Sequence, residues 1–383
     1  MQTPRIVTGI LLTGLAAGGP PRGAAPAVDA PLVIAGGRYL DVRAGALRPN
    51  GYIVIRGDRI ESVLPPDADR PAHARILRAD GRTILPGLVD AHVHLTLAGD
   101  PLANAAATVR AGFTTVVDLG AVGGAGIRLR DALASGDAPG PRVIAAGSWI
   151  GAKGGVCEFG AATVRDAAGA RARAESDLAA GADLLKVCVT GWPADAIARP
   201  DSVELRGPML QAVLDVATAR RRAVFAHAIG QAGALLAARS GVRALAHTPI
   251  VDSAAVAGLR ENGVHVISTL ATLGVGKAAE PLRASFARLR RAGVPIVLGT
   301  DAGVLPHGEN AKELVALTRE GLTPLEAIRA ATLAPAELLG IPGLGSIETG
   351  SPGDLVIVEG DPLTDITALQ GPLLVVRRGR EVQ

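Results

Sequence analysis

Aromatic residues are scarce in this 383-residue chain: Phe, Trp and Tyr together make up 2% of it. Basic residues (39) barely outnumber acidic ones (36), and no Lys/Arg cluster is interleaved with stacking rings. That combination excludes nucleic acid as a partner. Lysine is almost absent, with Lys153, Lys186, Lys277 and Lys312 the whole complement. Two cysteines, Cys157 and Cys188, cannot build a disulfide framework. A single bridge between them is compatible with the sequence but does not follow from the spacing. Cys188 sits inside an apolar run and reads as a plainly buried residue. There is no low-complexity run, and with 48% apolar residues and balanced charge the chain is folded rather than disordered. No G-x-S-x-G elbow occurs, so a serine nucleophile of that kind is excluded.

Nor does any apolar run suit a membrane span. The longest leader-like stretch, Ile6 to Ala17, is short and glycine-rich. With Arg5 before it and Ala25-Pro26-Ala27 after it, the segment reads as a secretory signal peptide over 1–27. The expected consequence is an exported, periplasmic or extracellular protein.

What is present has two rhythms. Residues 28–85 hold short β segments at Leu32–Ile34, Tyr52–Ile55 and Ile60–Leu64, separated by Gly, Asn, Asp and Pro turns. The tail, 346–383, repeats that character at Asp354–Val358 and Leu373–Val376, so the two ends are expected to form one small β-sandwich domain. Between them, 86–345 alternates β-branched runs with Ala/Leu/Arg-rich helical stretches such as Pro208–Arg221 and Pro281–Arg291. The expected strands are Leu88–His92, Thr114–Asp118, Arg142–Ala146, Leu184–Val189, Arg222–His227, Ala244–His247, Val264–Thr269 and Pro295–Thr300. Eight strand-then-helix units predict an α/β fold, a (β/α)8 TIM-like barrel. A doubly wound open sheet competes, but does not call for a polar residue at nearly every strand end.

Those polar residues carry the chemistry. His92 and His94 lie two apart at the end of the first strand, so both face one side and can bind one metal ion. Lys186 ends an apolar run; its ammonium facing a barrel interior is costly, whereas a neutral amine can take up carbon dioxide as a carbamate that bridges two cations. His227 and His247 close successive strands and can hold a second ion. Asp301, after the eighth strand, can bind metal and accept a proton from water. Each also has a blander reading: Asp301 as a helix cap, Lys186 as a salt-bridge partner, a lone histidine as a packed one. His307, in the loop after Asp301, is placed to touch substrate, while His265 reads as packed and His73 as solvated.

In this order, these six residues resemble the metal centre of the amidohydrolase superfamily. Leu85-Pro86-Gly87-Leu88-Val89-Asp90-Ala91-His92-Val93-His94 is similar to its first-strand motif, and Gly299-Thr300-Asp301-Ala302-Gly303 to its last. Gly345-Ser346-Ile347 to Gly353-Asp354-Leu355-Val356 is similar to its return into the sandwich. The branch resembled is the imidazolonepropionase-like and prolidase-like one. That resemblance implies two zinc-type ions, one on His92, His94, Lys186 and Asp301, the other on carboxylated Lys186, His227 and His247. Two departures bear on specificity: His227-Ala228-Ile229-Gly230 stands where many relatives read His-Ala-His-Gly, and the loop from Gly151 to Gly160 has no histidine.

The function expected is hydrolysis of a carbon–nitrogen bond, amide or short peptide, by metal-bound hydroxide, with dipeptidase or prolidase-like cleavage leading. The alternatives are a mononuclear cyclic-amide hydrolase or deaminase and a non-catalytic barrel that binds a ligand or metal. A small molecule is the expected partner, and a homo-oligomer stays open.

Overall fold

The computed structural model describes residues 30–382 other than Pro71, Asp137 and Ala161. The leader expected over 1–27 lies outside the described residues.

Eight parallel strands run in sequence order: Leu88–Val93, Phe113–Asp118, Arg142–Ala152, Leu184–Cys188, Val224–His227, Ala244–Ala246, His265–Ile267 and Ile296–Val297. The first and last meet through a parallel bridge, Val93 to Ala302, and through Asp301 N–H donating to the His92 carbonyl at 2.7 Å. The sheet therefore closes on itself as a (β/α)8 barrel. Its interior is filled by one buried apolar side chain from each strand in turn: Ala91, Val117, Ala146, Leu184, Phe225, Ala244, Ile267 and Val297. Full burial of one such large side chain as Phe225 is worth about 1.5–3 kcal/mol. The barrel is a packed core, and only its C-terminal mouth is left for polar groups.

The intervening helices start where the sequence can cap them. Asp100 accepts from the Ala103 N–H at 2.8 Å to open Pro101–Arg110, and Thr323 and Glu326 form a reciprocal box at the start of Pro324–Ala330.

The two chain ends pair as expected. Thr83–Pro86 runs antiparallel to Leu355–Val358, within a six-stranded sheet that also holds Arg38–Asp41, Ala46–Pro49, Leu374–Arg377 and Arg380–Glu381. A four-stranded sheet (Leu32–Ala35, Tyr52–Arg56, Arg59–Leu64 and Arg75–Arg78) packs against it over Ile34, Ile55, Ile84 and Ile357. The chain leaves this sandwich at Pro86 and starts the first barrel strand at Leu88, which delivers the His92-Val93-His94 motif to the mouth.

One expectation is corrected. Cys157 and Cys188 are bonded to each other, with Cα atoms 6.2 Å apart, rather than Cys188 being simply buried. The reason lies in the third strand. It runs to Ala152 instead of ending near Ala146, with an irregularity between Ala146 and Trp149. The loop that follows is thereby carried back over the fourth strand. Among the described residues, no helix is long and apolar enough to cross a membrane.

Candidate metal centre

At the mouth, strand alternation turns His92 and His94 inward together. Their Nε2 atoms are 3.2 Å apart, and Asp301 Oδ1 lies 3.4 and 3.2 Å from them. Three ligand-type atoms from the first and eighth strands thus converge on one point, and all three residues are buried. The rings of His247 and His92 are 4.7 Å apart, as are those of His247 and His227. The four imidazoles therefore form a continuous group.

Lys186 completes it. Its side chain is 2% exposed, and Nζ has no hydrogen-bond partner among the described residues. Burial lowers its pKa to about 7, with Asp301 pulling the other way. A buried amine that is substantially neutral at pH 7 is the species that reacts with carbon dioxide. Burial, then the Lys186 charge, holds His92 well below the usual imidazole range, and the same two causes bring His227 down to about 4. These histidines are neutral, the state in which imidazole ligates metal. Burial alone would push the Asp301 carboxyl up; the facing His92, His94 and His247 outweigh it and hold it well below the usual range.

The far side of three of the four rings is also engaged, while His92 Nδ1 has no hydrogen-bond partner among the described residues. His94 Nδ1 faces the Gly120 carbonyl at 3.3 Å, His227 Nε2 the Gly191 carbonyl at 3.2 Å, and His247 Nδ1 the Thr269 hydroxyl at 2.9 Å. Partners of this kind fix the tautomer and aim the other nitrogen inward. Asp90 ties the ends of the first and eighth strands together by accepting from Thr300 N–H and Thr300 Oγ1 and from Asn310 Nδ2. Burial raises its pKa to about 6. Asp118, also raised to about 6 by burial, accepts from Leu95 N–H and Gly120 N–H beneath His94. The turn that follows Thr269 is held by Glu313, whose carboxylate accepts from Leu270 N–H at 2.9 Å and Ala271 N–H at 2.7 Å.

Of the six residues expected as ligands, His92, His94 and Asp301 come within ligand distance of one another, His247 and His227 follow ring to ring, and Lys186 lies close enough to interact with Asp301. His307 is half-buried with Nδ1 at Thr108 Oγ1 and Nε2 at the His94 carbonyl, so contact with substrate would require it to give up one of these. His265 is buried at the start of the seventh strand, away from the mouth, and His73 is exposed. The sequence reading did not single out Asp90, Thr269, Glu313, Trp149 or Trp192. For the two tryptophans a signal existed: they are the only two in a chain poor in rings, one near the end of the third strand and one in the loop after the fourth. The Trp149 ring is 5.3 Å from that of His94, and Trp192 is 5.4 Å from that of His227.

The residues fit divalent metal binding. An orphaned buried amine, a row of buried imidazoles and one ionised carboxylate form a donor set that divalent cations prefer.

A family model described as the amidohydrolase family matches residues 83–382. By sequence the chain is similar to the ochratoxinase of Aspergillus niger, 26% identical over 424 residues, covering 90% of this chain and 87% of that one. By structure it is similar to a Xaa-Pro dipeptidase solved with methionine in the active site. The TM-score is 0.85 and the identity 28%, covering 92% of this chain and 99% of the other. A prolidase solved with N-methylphosphonate-L-proline gives a TM-score of 0.83 at 28% identity, with the same coverage.

Proposed function

The chain belongs to the amidohydrolase family and is a hydrolase of carbon–nitrogen bonds; from that premise we propose that it is a binuclear amide or dipeptide hydrolase assembled on a carboxylated Lys186. The observation that carries this reading is the Lys186 amine, buried without a partner among four histidines and Asp301. His92, His94 and Asp301 would hold one divalent ion, His227 and His247 the other, and the Lys186 carbamate would bridge them. Zinc suits such a nitrogen- and oxygen-rich set. When bound, the ions lower the pKa of water and polarise the scissile carbonyl.

The chain's own residues then have defined work. Asp301 Oδ1 is turned toward His92 and His94, which leaves Oδ2 to hold the proton of the attacking water and pass it to the leaving nitrogen. Water adds at the carbonyl carbon, the carbon–nitrogen bond breaks, and the products are a carboxylic acid and an amine. The Thr269 hydroxyl and the Gly120 and Gly191 carbonyls keep three imidazoles from turning during the cycle. By likeness to the dipeptidase, prolidase and ochratoxinase, short peptides and acylated amino acids are the substrates to try.

The leader and the disulfide agree with each other: a cystine persists in an oxidising compartment, which suits export to the periplasm or beyond.

The test is metal content of purified protein, wild type beside Lys186→Ala, with the intact mass read for one added carbon dioxide. About two equivalents falling sharply in the variant, with the added mass in the wild type, is the expected result. His92, His94 and Asp301 alone form a compact three-ligand group, which favours a mononuclear enzyme as the second reading. One equivalent indifferent to the Lys186 change would establish that reading instead.

A further inference from the structure

Nine large apolar side chains are exposed among the described residues. Six of them come one each from six different loops at the barrel mouth: Leu97, Val122, Phe159, Trp192, Val275 and Val304. Exposed apolar surface gathered on one face, rather than scattered, marks a binding surface. Here it is continuous with the metal centre through rings. Phe159, 55% exposed, packs on Trp149 with centroids 5.1 Å apart, and Trp149 packs on His94. Across the centre Trp192, 43% exposed, meets His227 edge-on.

The Trp149 ring is built in rather than resting there. A Cβ at Gly120, where φ is +126°, would fall 2.7 Å from Trp149 Nε1, and one at Gly160 would fall 2.6 Å from Cε3. Only glycine at these two places leaves the ring its position. Trp149 also sits in register with Lys186 on the neighbouring strand. Phe159 is fixed differently: it lies two residues after Cys157, whose disulfide to Cys188 bolts its loop to the strand that carries Lys186. Ile229, two residues after His227, is fully buried.

We propose that these rings are a specificity clamp, and that the enzyme selects amides flanked by bulky apolar, above all aromatic, groups over those flanked by small ones. Trp149 and Phe159 form the wall on the His94 side, Trp192 the wall on the His227 side. This rests on the carbon–nitrogen hydrolase reading of the same site and names its substrate class.

The experiment uses the metal-loaded enzyme and an N-acyl amino acid and dipeptide series in which one flank at a time changes from Ala to Leu to Phe. The expected result is kcat/KM rising roughly ten- to hundredfold from Ala to Phe on at least one flank. Phe159→Ala and Trp192→Ala should each shrink that ratio by about three- to tenfold, mainly through KM. Equal kcat/KM across the series, or a preference that both variants keep, overturns the clamp while the hydrolase reading stands. So does a change of oligomeric state in both variants with selectivity intact, because the rim would then be an interface between copies. Both tryptophans of the chain are in the clamp, so intrinsic fluorescence reports binding without turnover. Tighter binding of the Phe-flanked compound with no cleavage of any member supports the clamp and removes the hydrolase reading.

Discussion

Asp90 and Thr300 face each other across the line where the barrel closes, with Asp90 Oδ2 accepting from Thr300 Oγ1 at 2.6 Å and Oδ1 accepting from Thr300 N–H at 3.0 Å. Asn310 Nδ2 adds a third donor at 2.8 Å, and the whole arrangement is buried. Asp90→Asn turns half of an acceptor-only group into a donor facing donors. The expected cost is about 1–3 kcal/mol, read from the urea midpoint of the metal-free protein. Metal affinity should also weaken by roughly ten- to hundredfold, because His92 and Asp301 are positioned from the two strands this carboxylate joins. A variant matching the wild type in both measurements would show that the closure is held elsewhere.

Glu313 gives a prediction about pH. Burial lifts its pKa from 4.5 to about 7. The folded protein therefore keeps a proton that the unfolded chain releases, and this group's contribution to stability falls as pH rises through about 4.5 to 7. Glu313→Gln does not titrate and loses one of two acceptors for the Leu270 and Ala271 amides. The variant should be less stable than the wild type near pH 4.5. By pH 8 it should recover on the order of 1–3 kcal/mol of that difference. A gap that stays constant with pH would mean that Glu313 is ionised throughout.

Asp301→Asn should separate binding from proton transfer. The amide can still lie beside His92 and His94, but it cannot take a proton from water. A fall in kcat of roughly 10²–10⁴, larger than any change in KM, is expected once the variant is loaded with metal. Retention of most of the wild-type kcat would assign the proton to another group.

The disulfide affects both stability and selectivity. Cys157 and Cys188 are 31 residues apart in sequence, and a cross-link of that span is worth about 2–4 kcal/mol against the unfolded chain. Replacing both by serine, or reducing the bond, should lower the melting temperature and loosen Phe159. The ratio of rates on Phe-flanked and Ala-flanked amides should fall with it, while two metal equivalents remain. Loss of metal on reduction would instead place the bond's role at Lys186.

Most of the barrel was legible because its strands are short apolar runs ending in polar residues, a pattern that follows from a packed interior and an open mouth. The six ligand candidates were legible for the same reason, each being the residue that interrupts such a run. Several sandwich strands were not. Arg38–Asp41 and Ala46–Pro49 carry polar and exposed residues, and Thr83–Pro86 finds its partner in Leu355–Val358, at the other end of the chain. Pairings formed at such range leave little local trace. The supporting residues were hidden for a related reason: Glu313 reads as an ordinary helical glutamate until Leu270 and Ala271 arrive from the seventh-strand loop. The cystine was hidden because it depends on where the third strand ends.

Three residues of the centre, His247, Thr269 and Asp301, hold left-handed backbone angles (φ of 77°, 52° and 58°) that side chains other than glycine adopt at a cost of roughly 1–2 kcal/mol. Each therefore has two demands on it, a conformation that favours glycine and a function that forbids it. Drift at these corners is closed in both directions: glycine would relieve the backbone and delete the functional group, and a bulkier branched residue would worsen the strain. Divergence toward new substrates is left to the outer loops that carry Phe159 and Trp192, away from these strained corners.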